Sequence, residues 1–295
     1  VGIRTQGQIK KGINSIRRSN QFEEKSVANL EATLKLGLEV KRKAKKNIEC
    51  SSVFKEDLKE GIEQVQPIAD LSKIAIDKDF LKSLFHRVCE VTLDFEDQKK
   101  DEVLKINRAI QNERIDFDKL KESLVFGKNR YFASIAKKLG TSKEILYSIA
   151  LMVFRPIFEL AAEKEKHLIK DYEWKKGYCP ICGGRPKMAK LEKEVGRRYL
   201  WCPLCGSEWV YRRVKCPFCE NENQELLRFF YLDEKSPYRV DVCDKCKGYI
   251  KTVDERKRSN DEKTIFEIED SRTLFLDKIA AKEGFKHIKI LGVRR

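Results

Sequence analysis

The sequence predicts a multidomain α plus small-β chain: a helical N-terminal domain, two tandem four-cysteine modules built from short strands, and a C-terminal helix. Three observations carry that prediction. Apolar residues recur at helical spacing from about residue 27 to residue 172. At Trp174-Lys175-Lys176-Gly177 the composition changes, and short strand-like runs separated by turn residues replace the helical pattern. Eight of the ten cysteines then fall between residues 179 and 246, every one in a Cys-x-x-Cys pair. The expected divisions are a basic, partly irregular segment (1–48), a helical domain (49–173), a first four-cysteine metal ribbon (174–212), a second four-cysteine metal ribbon (213–254), and a linker with the closing helix (255–295). A chain of 295 residues is long enough for two domains, one with a sizeable core.

In chain order, residues 1–25 are polar with little periodicity and are expected to be irregular. A weak helical pattern follows over 27–48. Residues 54–76 carry Phe54, Leu58, Ile62 and Val65 at helical spacing until Pro67 interrupts, with another turn at Ile68, Leu71 and Ile74. The first strong helix spans 80–95. Phe80, Leu84, Val88, Val91 and Phe95 form a stripe that Leu81, Phe85 and Cys89 widen into a core face, which makes Cys89 a buried small hydrophobe. His86, beside that stripe, has no neighbouring ligand residue and reads as structural. A thinner stripe predicts a helix over 101–115, and Asp116 or Asp118 is placed to cap the next.

Residues 129–139 predict a helix that Gly140 ends, with Thr141-Ser142-Lys143-Glu144 as a capping box for its successor. The string 135–142 has the glycine, alanine and flanking apolar residues of a DNA-binding helix-turn-helix. Its second helix, with Ile145, Leu146, Ile149, Ala150, Leu151, Met152, Val153 and Phe154, is apolar on nearly all sides. A recognition helix must offer polar groups to base edges, so burial is the better reading. Pro156 is expected to kink or restart that helix.

Beyond residue 177 the predicted strands are 187–191 and 197–201 around a turn at Val195-Gly196, then 208–215, 225–232, 238–242 and 249–253. The order knuckle, hairpin, knuckle occurs twice, an internal repeat of zinc-ribbon or rubredoxin-like units. Residues 255–263 form a charged linker. Residues 271–283 predict a last amphipathic helix with Leu274, Phe275, Ile279 and Ala280 on one side.

Sequential pairing assigns Cys179, Cys182, Cys202 and Cys205 to one metal site and Cys216, Cys219, Cys243 and Cys246 to another, because each hairpin brings its two knuckles together. Cys-Pro-x-Cys, at Cys179-Pro180, Cys202-Pro203 and Cys216-Pro217, suits a tight turn that aims backbone N–H groups at sulfur. Gly183 and Gly206 supply the positive φ such a turn needs. Two metal ions per chain are expected, and all-sulfur tetrahedra accommodate iron or zinc alike. Such ribbons have little core of their own, so chelation is expected to melt residues 177–250 and spare the helical domain.

The formal charge of +15 invites a nucleic-acid reading. Residues 1–48 hold twelve Lys/Arg against four Glu, however, and residues 177–250 hold fourteen against ten. Eight thiolates with two divalent ions would bring the cysteine region near neutrality, a poor grip for phosphate. The basic run from Lys41 to Lys46 reads as a solvated helix face. No secretory h-region opens the sequence, and the longest apolar run, 149–154, is far too short for a membrane span. Paired cysteines without an export signal fit the cytoplasm.

Catalysis fits poorly. A catalytic zinc keeps an open position, whereas four sulfurs per site close the tetrahedron. The histidines, His86, His167 and His287, lie outside the cysteine region, and no phosphate loop or nucleophile elbow is present. Two alternatives remain at this stage: a nucleic-acid-binding zinc-ribbon protein, and a sulfur-transfer or thiol-redox protein using one Cys-x-x-Cys pair.

The run Arg198-Tyr199-Leu200-Trp201-Cys202-Pro203-Leu204-Cys205, followed by Glu208-Trp209, Arg213 and Cys216-Pro217-Phe218-Cys219, resembles the formate dehydrogenase accessory protein family, FdhE. Cys179-Pro180-Ile181-Cys182-Gly183, Cys243-Asp244-Lys245-Cys246 with Tyr249-Ile250-Lys251, and the tail Leu276-Asp277 with Glu283-Gly284-Phe285 are similar to it too. The resemblance covers roughly residues 177–285. It implies a cytoplasmic, non-catalytic assembly factor that associates with the catalytic subunit of formate dehydrogenase, with the eight knuckle cysteines as ligands and iron as a metal known in the family. It also points to Glu208, Trp209 and Arg213, between the two sites, as partner contacts. Core packing is the competing reading for Trp209, and pairing with Glu208 or another carboxylate for Arg213.

Overall fold

The computed structural model describes residues 5–19, 22–48, 66–95, 97–165, 174–258 and 264–288. The stripe Phe54, Leu58, Ile62 and Val65, and His167, lie outside these residues. The helices are α1 (Gln6–Arg18), α2 (Glu24–Asn47), α3 (Lys78–Phe95), α4 (Lys100–Gln111), α5 (Phe117–Phe126), α6 (Asn129–Leu139), α7 (Lys143–Glu165), α8 (Phe266–Arg272) and α9 (Leu274–Lys282). The strands are β1 (Met188–Leu191), β2 (Arg198–Trp201), β3 (Glu208–Val210), β4 (Leu227–Tyr231), β5 (Tyr238–Cys243) and β6 (Gly248–Asp254).

The N-terminus departs from expectation. Residues 6–18 are a capped helix, in which Thr5 Oγ1 accepts from the Gln8 N–H and the Gln8 side chain returns a bond to the Thr5 N–H. Ile9, Ile13 and Ile16, spaced on one face, are buried against Val27 and Leu34 of α2 and Ile265 and Ile268 near α8. Each such side chain stabilises the docked helix by about 1.5–3 kcal/mol. The sparse polar-looking stripe succeeds because a partner from the far end of the chain covers it. Gly12 permits that approach, since a Cβ there would sit 2.5 Å from Ile268 Cδ1.

Helices α2 to α6 pack around α7. Ile145, Leu146, Ile149, Val153, Phe154, Ile157 and Phe158 are all buried, so α7 is a core helix and not a reading head for nucleic acid. By length and composition this helix would cross a bilayer, with mean hydropathy 1.7 in its most apolar window, yet 72% of that window is buried inside the protein. The helix is continuous through Pro156. Gly140 ends α6 in the left-handed region (φ 61°, ψ 48°), as expected. The capping box that follows is replaced: the Ser142 N–H donates to the Glu102 carboxylate of α4, while Glu144 pairs with Lys143. Of the two candidate caps for α5, Asp116 is the one used, accepting from the Lys119 N–H at 3.0 Å. The buried face of α3 is centred on Leu81, Leu84, Phe85, Val88 and Cys89, with Phe80 and Val91 at its margins. Burial pushes the Cys89 thiol up to about 12, as fits an inert core residue. His86 bonds Asn107 across the α3–α4 contact.

The strands of both cysteine modules join in one six-stranded sheet of order β3-β2-β1-β6-β5-β4. Every pairing is antiparallel except β1–β6, which is parallel from Met188↔Lys251 to Leu191↔Asp254 and joins the two halves. β3 is shorter than the expected 208–215 strand. Against this sheet lie two short helices in place of the single 271–283 helix, broken at Thr273. Their buried residues include Phe266, Ile268, Leu276 and Ala280, whereas Leu274 and Phe275 of the expected apolar face are exposed. Phe266 stacks on Trp201 at 5.1 Å. Lys251, 1% exposed at the centre of β6, reaches Asp270 and Asp277 at 2.8 Å each and so ties both helices to the sheet.

Two candidate metal centres

Each knuckle repeats one local geometry. The first cysteine of a pair accepts, at its carbonyl, the N–H of the residue four positions on: Gly183 to Cys179, Gly206 to Cys202, Glu220 to Cys216 and Lys247 to Cys243, at 2.8–3.0 Å. In all four that residue has positive φ: 73°, 67°, 60° and 56°. Glycine fills it in the first two, as the sequence suggested, and Glu220 and Lys247 adopt the same conformation at a cost of roughly 1–2 kcal/mol each. Backbone N–H groups then face sulfur: those of Phe218 and Cys219 approach Cys216, that of Asn221 approaches Cys219, and that of Gly248 approaches Cys246.

The hairpins bring the pairs together in sequential order. Cys179, Cys182, Cys202 and Cys205 converge, as do Cys216, Cys219, Cys243 and Cys246, with all sulfurs of a group within 4.8 Å of one another. The shortest separations are 3.6 Å for Cys179–Cys205 and Cys182–Cys202, and 3.7 Å for Cys216–Cys246 and Cys219–Cys243. A tetrahedron with metal–sulfur arms of about 2.3 Å has edges of about 3.8 Å, so each group could hold one ion without rearrangement.

The electrostatics ask for a cation. Burial pushes the Cys179 thiol up, and contact with Cys179 and the other thiols pushes Cys182 up. Burial also disfavours charge on Cys205, but bonds from Cys179, Cys182, Cys202 and Ser207 outweigh it and hold that thiol low. In the second group burial raises Cys216, and Cys246 to about 11; burial works to raise Cys219 too, but the Asn221 N–H and the other sulfurs outweigh it and lower that thiol. Each set alone thus favours partial ionisation; four thiolates together need a divalent ion at the centre.

The two groups differ in exposure. All four cysteines of the first are at most 1% exposed, whereas Cys219 and Cys246 of the second are half-buried. The main hydrophobic core runs unbroken from Phe154 and Phe158 to Cys179, Cys182, Cys202 and Cys205, and it reaches the second group through Cys216 and Cys243, with Cys219 and Cys246 packed at its edge. Backbone bonds reinforce that contact, from Ile68 N–H to Pro180 O at 3.0 Å and from Ala69 N–H to Ile181 O at 2.9 Å. Gly206 lies against the buried Glu159 of α7, which pairs with Lys41 at 3.6 Å and Arg155 at 3.1 Å.

Of the residues between the groups, Trp209 is 4% exposed and donates its indole N–H to Lys176 O at 3.2 Å. Glu208 pairs with Lys190 at 2.8 Å, not with Arg213, which is exposed. Cysteine spacing gives no hint of Ser207, whose hydroxyl lies 3.2 Å from Cys205 Sγ, or of Asn221, whose amide approaches Cys243 Sγ at 4.0 Å. Their only signal is position, each following the second cysteine of its knuckle by two residues.

The family model described as "FdhE, central domain" matches residues 178–213, which hold the first cysteine group. A "Protein FdhE homolog" of Aquifex aeolicus is 33% identical over 149 residues, half of this chain and 51% of that relative, so the match spans about half of the relative's length. The "Protein FdhE" of Escherichia coli K12 is 27% identical over 237 residues, 79% of this chain and 71% of its own. The crystal structure of the FdhE protein from Pseudomonas aeruginosa superimposes with a TM-score of 0.61 at 17% identity, covering 99% of this chain and 97% of that one. That likeness shows a common fold.

Proposed function

We infer that this chain, which belongs to the FdhE family, is a cytoplasmic, non-catalytic accessory protein that binds the catalytic subunit of formate dehydrogenase during its maturation. The observation that carries this reading is the closure of both cysteine groups. Four sulfurs per group leave no coordination position for a substrate or water, so each ion, iron or zinc, would serve as a structural centre. With the eight cysteines as ligands, the two ions would staple the knuckles that set the sheet's ends and hold its surface rigid. A rigid surface loses less conformational entropy when a partner docks. Among the residues between the two centres, exposed Arg213 is the one we assign to partner contact; Glu208 and Trp209 would shape the surface from beneath.

The test is co-purification of the tagged chain from a host that expresses a formate dehydrogenase. Enrichment of the catalytic subunit or its precursor is the expected result, and its absence under conditions where the enzyme matures would remove the proposal. A thiol-redox role finds one favourable observation, the partial exposure of Cys219 and Cys246. Alkylation of the metal-loaded chain separates the readings: a working thiol labels within minutes, and a closed tetrathiolate resists.

A further inference from the structure

Beside the second cysteine group lies a cavity of about 250 Å³, lined in part by Cys216 and Cys243 and half open to the surface. That volume exceeds the roughly 30 Å³ share of one liquid water several-fold. Arg198, Arg239, Arg213 and Arg228 all line it, and Asp241 is its one carboxylate among the described residues. Two of these arginines are deeply buried, Arg198 at 3% and Arg239 at 6% exposure.

Their hydrogen bonds are incomplete. Arg198 Nη1 donates to the carbonyls of Arg213 and Lys215, at 3.4 and 3.2 Å, while its Nε and Nη2 have no partner among the described residues. Arg239 Nη2 pairs with Asp241 at 2.9 Å, and its Nε is likewise without one. A guanidinium always carries its charge and presents its donors in a planar fork that matches carboxylate or phosphate oxygens. Elsewhere on the lining Arg228 is neutralised by Asp244 at 2.6 Å and Lys215 by Glu222 at 2.9 Å, which leaves Arg198, among the described residues, as the buried lining cation without a carboxylate in contact.

A tetrathiolate ion of net charge −2 would balance some of this charge, but sulfur does not take up the donors. The hydrogen bonds to cysteine sulfur among the described residues include none from Arg198 or Arg239. Phe218, Leu227 and Phe229 add apolar wall, which suits a compact organic body next to a charged head.

We propose that this cavity is a binding site for a small organic oxyanion, a carboxylate or phosphate monoester, drawn by the charge of Arg198 and Arg239, whose unpartnered donors lie buried behind the wall and turn to its oxygens on binding, while its body lies against Leu227 beside Phe229, the ring on which Arg239 stacks at 4.5 Å. The cavity shares Arg213 with the surface assigned to partner contact, but binding of a small oxyanion there does not depend on that assignment.

The experiment is calorimetric titration of the full, metal-loaded chain in a chloride buffer free of phosphate and sulfate, with phenyl phosphate, inorganic phosphate and benzoate as probes. One saturable site per chain is expected, with phenyl phosphate or benzoate bound more tightly than inorganic phosphate. Arg198→Met should weaken binding at least about tenfold, the worth of one charged hydrogen-bonding group, with metal content unchanged. No saturable binding of any probe up to about 10 mM, where affinity is negligible, would overturn the proposal. So would equal binding by Arg198→Met. If that variant loses metal or fails to fold, Val214→Trp decides, because it obstructs the cavity from a half-exposed lining position and leaves both arginines in place. Binding abolished in Val214→Trp supports the site; binding unchanged overturns it.

Discussion

Ile68 donates its backbone N–H to the carbonyl of Pro180 at 3.0 Å, so a segment of the helical region is hydrogen-bonded to the first cysteine knuckle. With the neighbouring Ala69–Ile181 bond and a core continuous from α7 to Cys179 and Cys205, the helices and the first cysteine group form one packed unit.

Removing metal should therefore unsettle more than residues 177–250. A structural tetrathiolate ion contributes on the order of 10 kcal/mol to folding, and the knuckle it fixes supports the helical core. Chelation should lower the thermal midpoint of the helical far-UV signal by at least about 10 °C, in the same transition as the sheet. An unchanged helical melt would show that the two parts are independent after all.

Loss of the two ions should be sequential. Cys219 and Cys246 are half-buried, whereas the first group is sealed. A chelator should extract one ion per chain in a fast phase and the other only on unfolding. Cys219→Ser should accelerate or remove the fast phase and leave the slow one unchanged. A single phase for both ions would contradict the difference in burial.

Three glycines should give a graded series of destabilisation in denaturant titrations. Gly284→Ala meets open space but keeps φ at 80°, and should cost about 1 kcal/mol. Gly206→Ala adds contact with Glu159 Cγ at 3.1 Å to a φ of 67°, for about 2 kcal/mol. At Gly177 a Cβ would lie 2.0 Å from Pro217 O, so Gly177→Ala must separate the first and third knuckles and should cost about 3 kcal/mol or more. An effect at Gly177, which has no positive φ, no larger than that at Gly284 would show that the close approach to Pro217 does not set the cost.

Lys251→Met should cost about 3 kcal/mol, since it leaves half-buried Asp270 short of one of its two cations. Burial works to raise the Asp270 carboxyl, but Lys187 and Lys251 hold it below its ordinary value of 3.8. A lowered carboxyl pKa contributes stability above the unfolded value that disappears as pH falls through the folded one. The wild type should thus lose stability below about pH 4, and Lys251→Met should show a shallower acid limb. An acid limb of the same slope would place that titration elsewhere.

Much of this was legible where the determinants are local. The cysteine grouping follows from hairpins of short reach, and Gly140, Asp116 and the apolar α7 act within a few turns of chain. What sequence hid depends on distant partners. Ile9, Ile13 and Ile16 are too few to announce a helix until Ile265 and Ile268 cover them. The parallel β1–β6 pairing joins strands that no hairpin connects, so two apparent ribbons become one sheet. Leu274 and Phe275 fit an apolar helix face, yet the break at Thr273 turns Leu276 and Ala280 inward instead. Arg198 shares its strand face with Leu200, and alternation alone would have placed it inside, where a charge is worth questioning.

Native mass spectrometry of the chain, purified without added metal, measures the two centres most directly. Two ions per intact chain are expected, falling to one when Cys216 and Cys219 are both replaced by serine. A native chain that carries no ion, or only a small fraction of one, would contradict a fold held together by two closed cysteine centres.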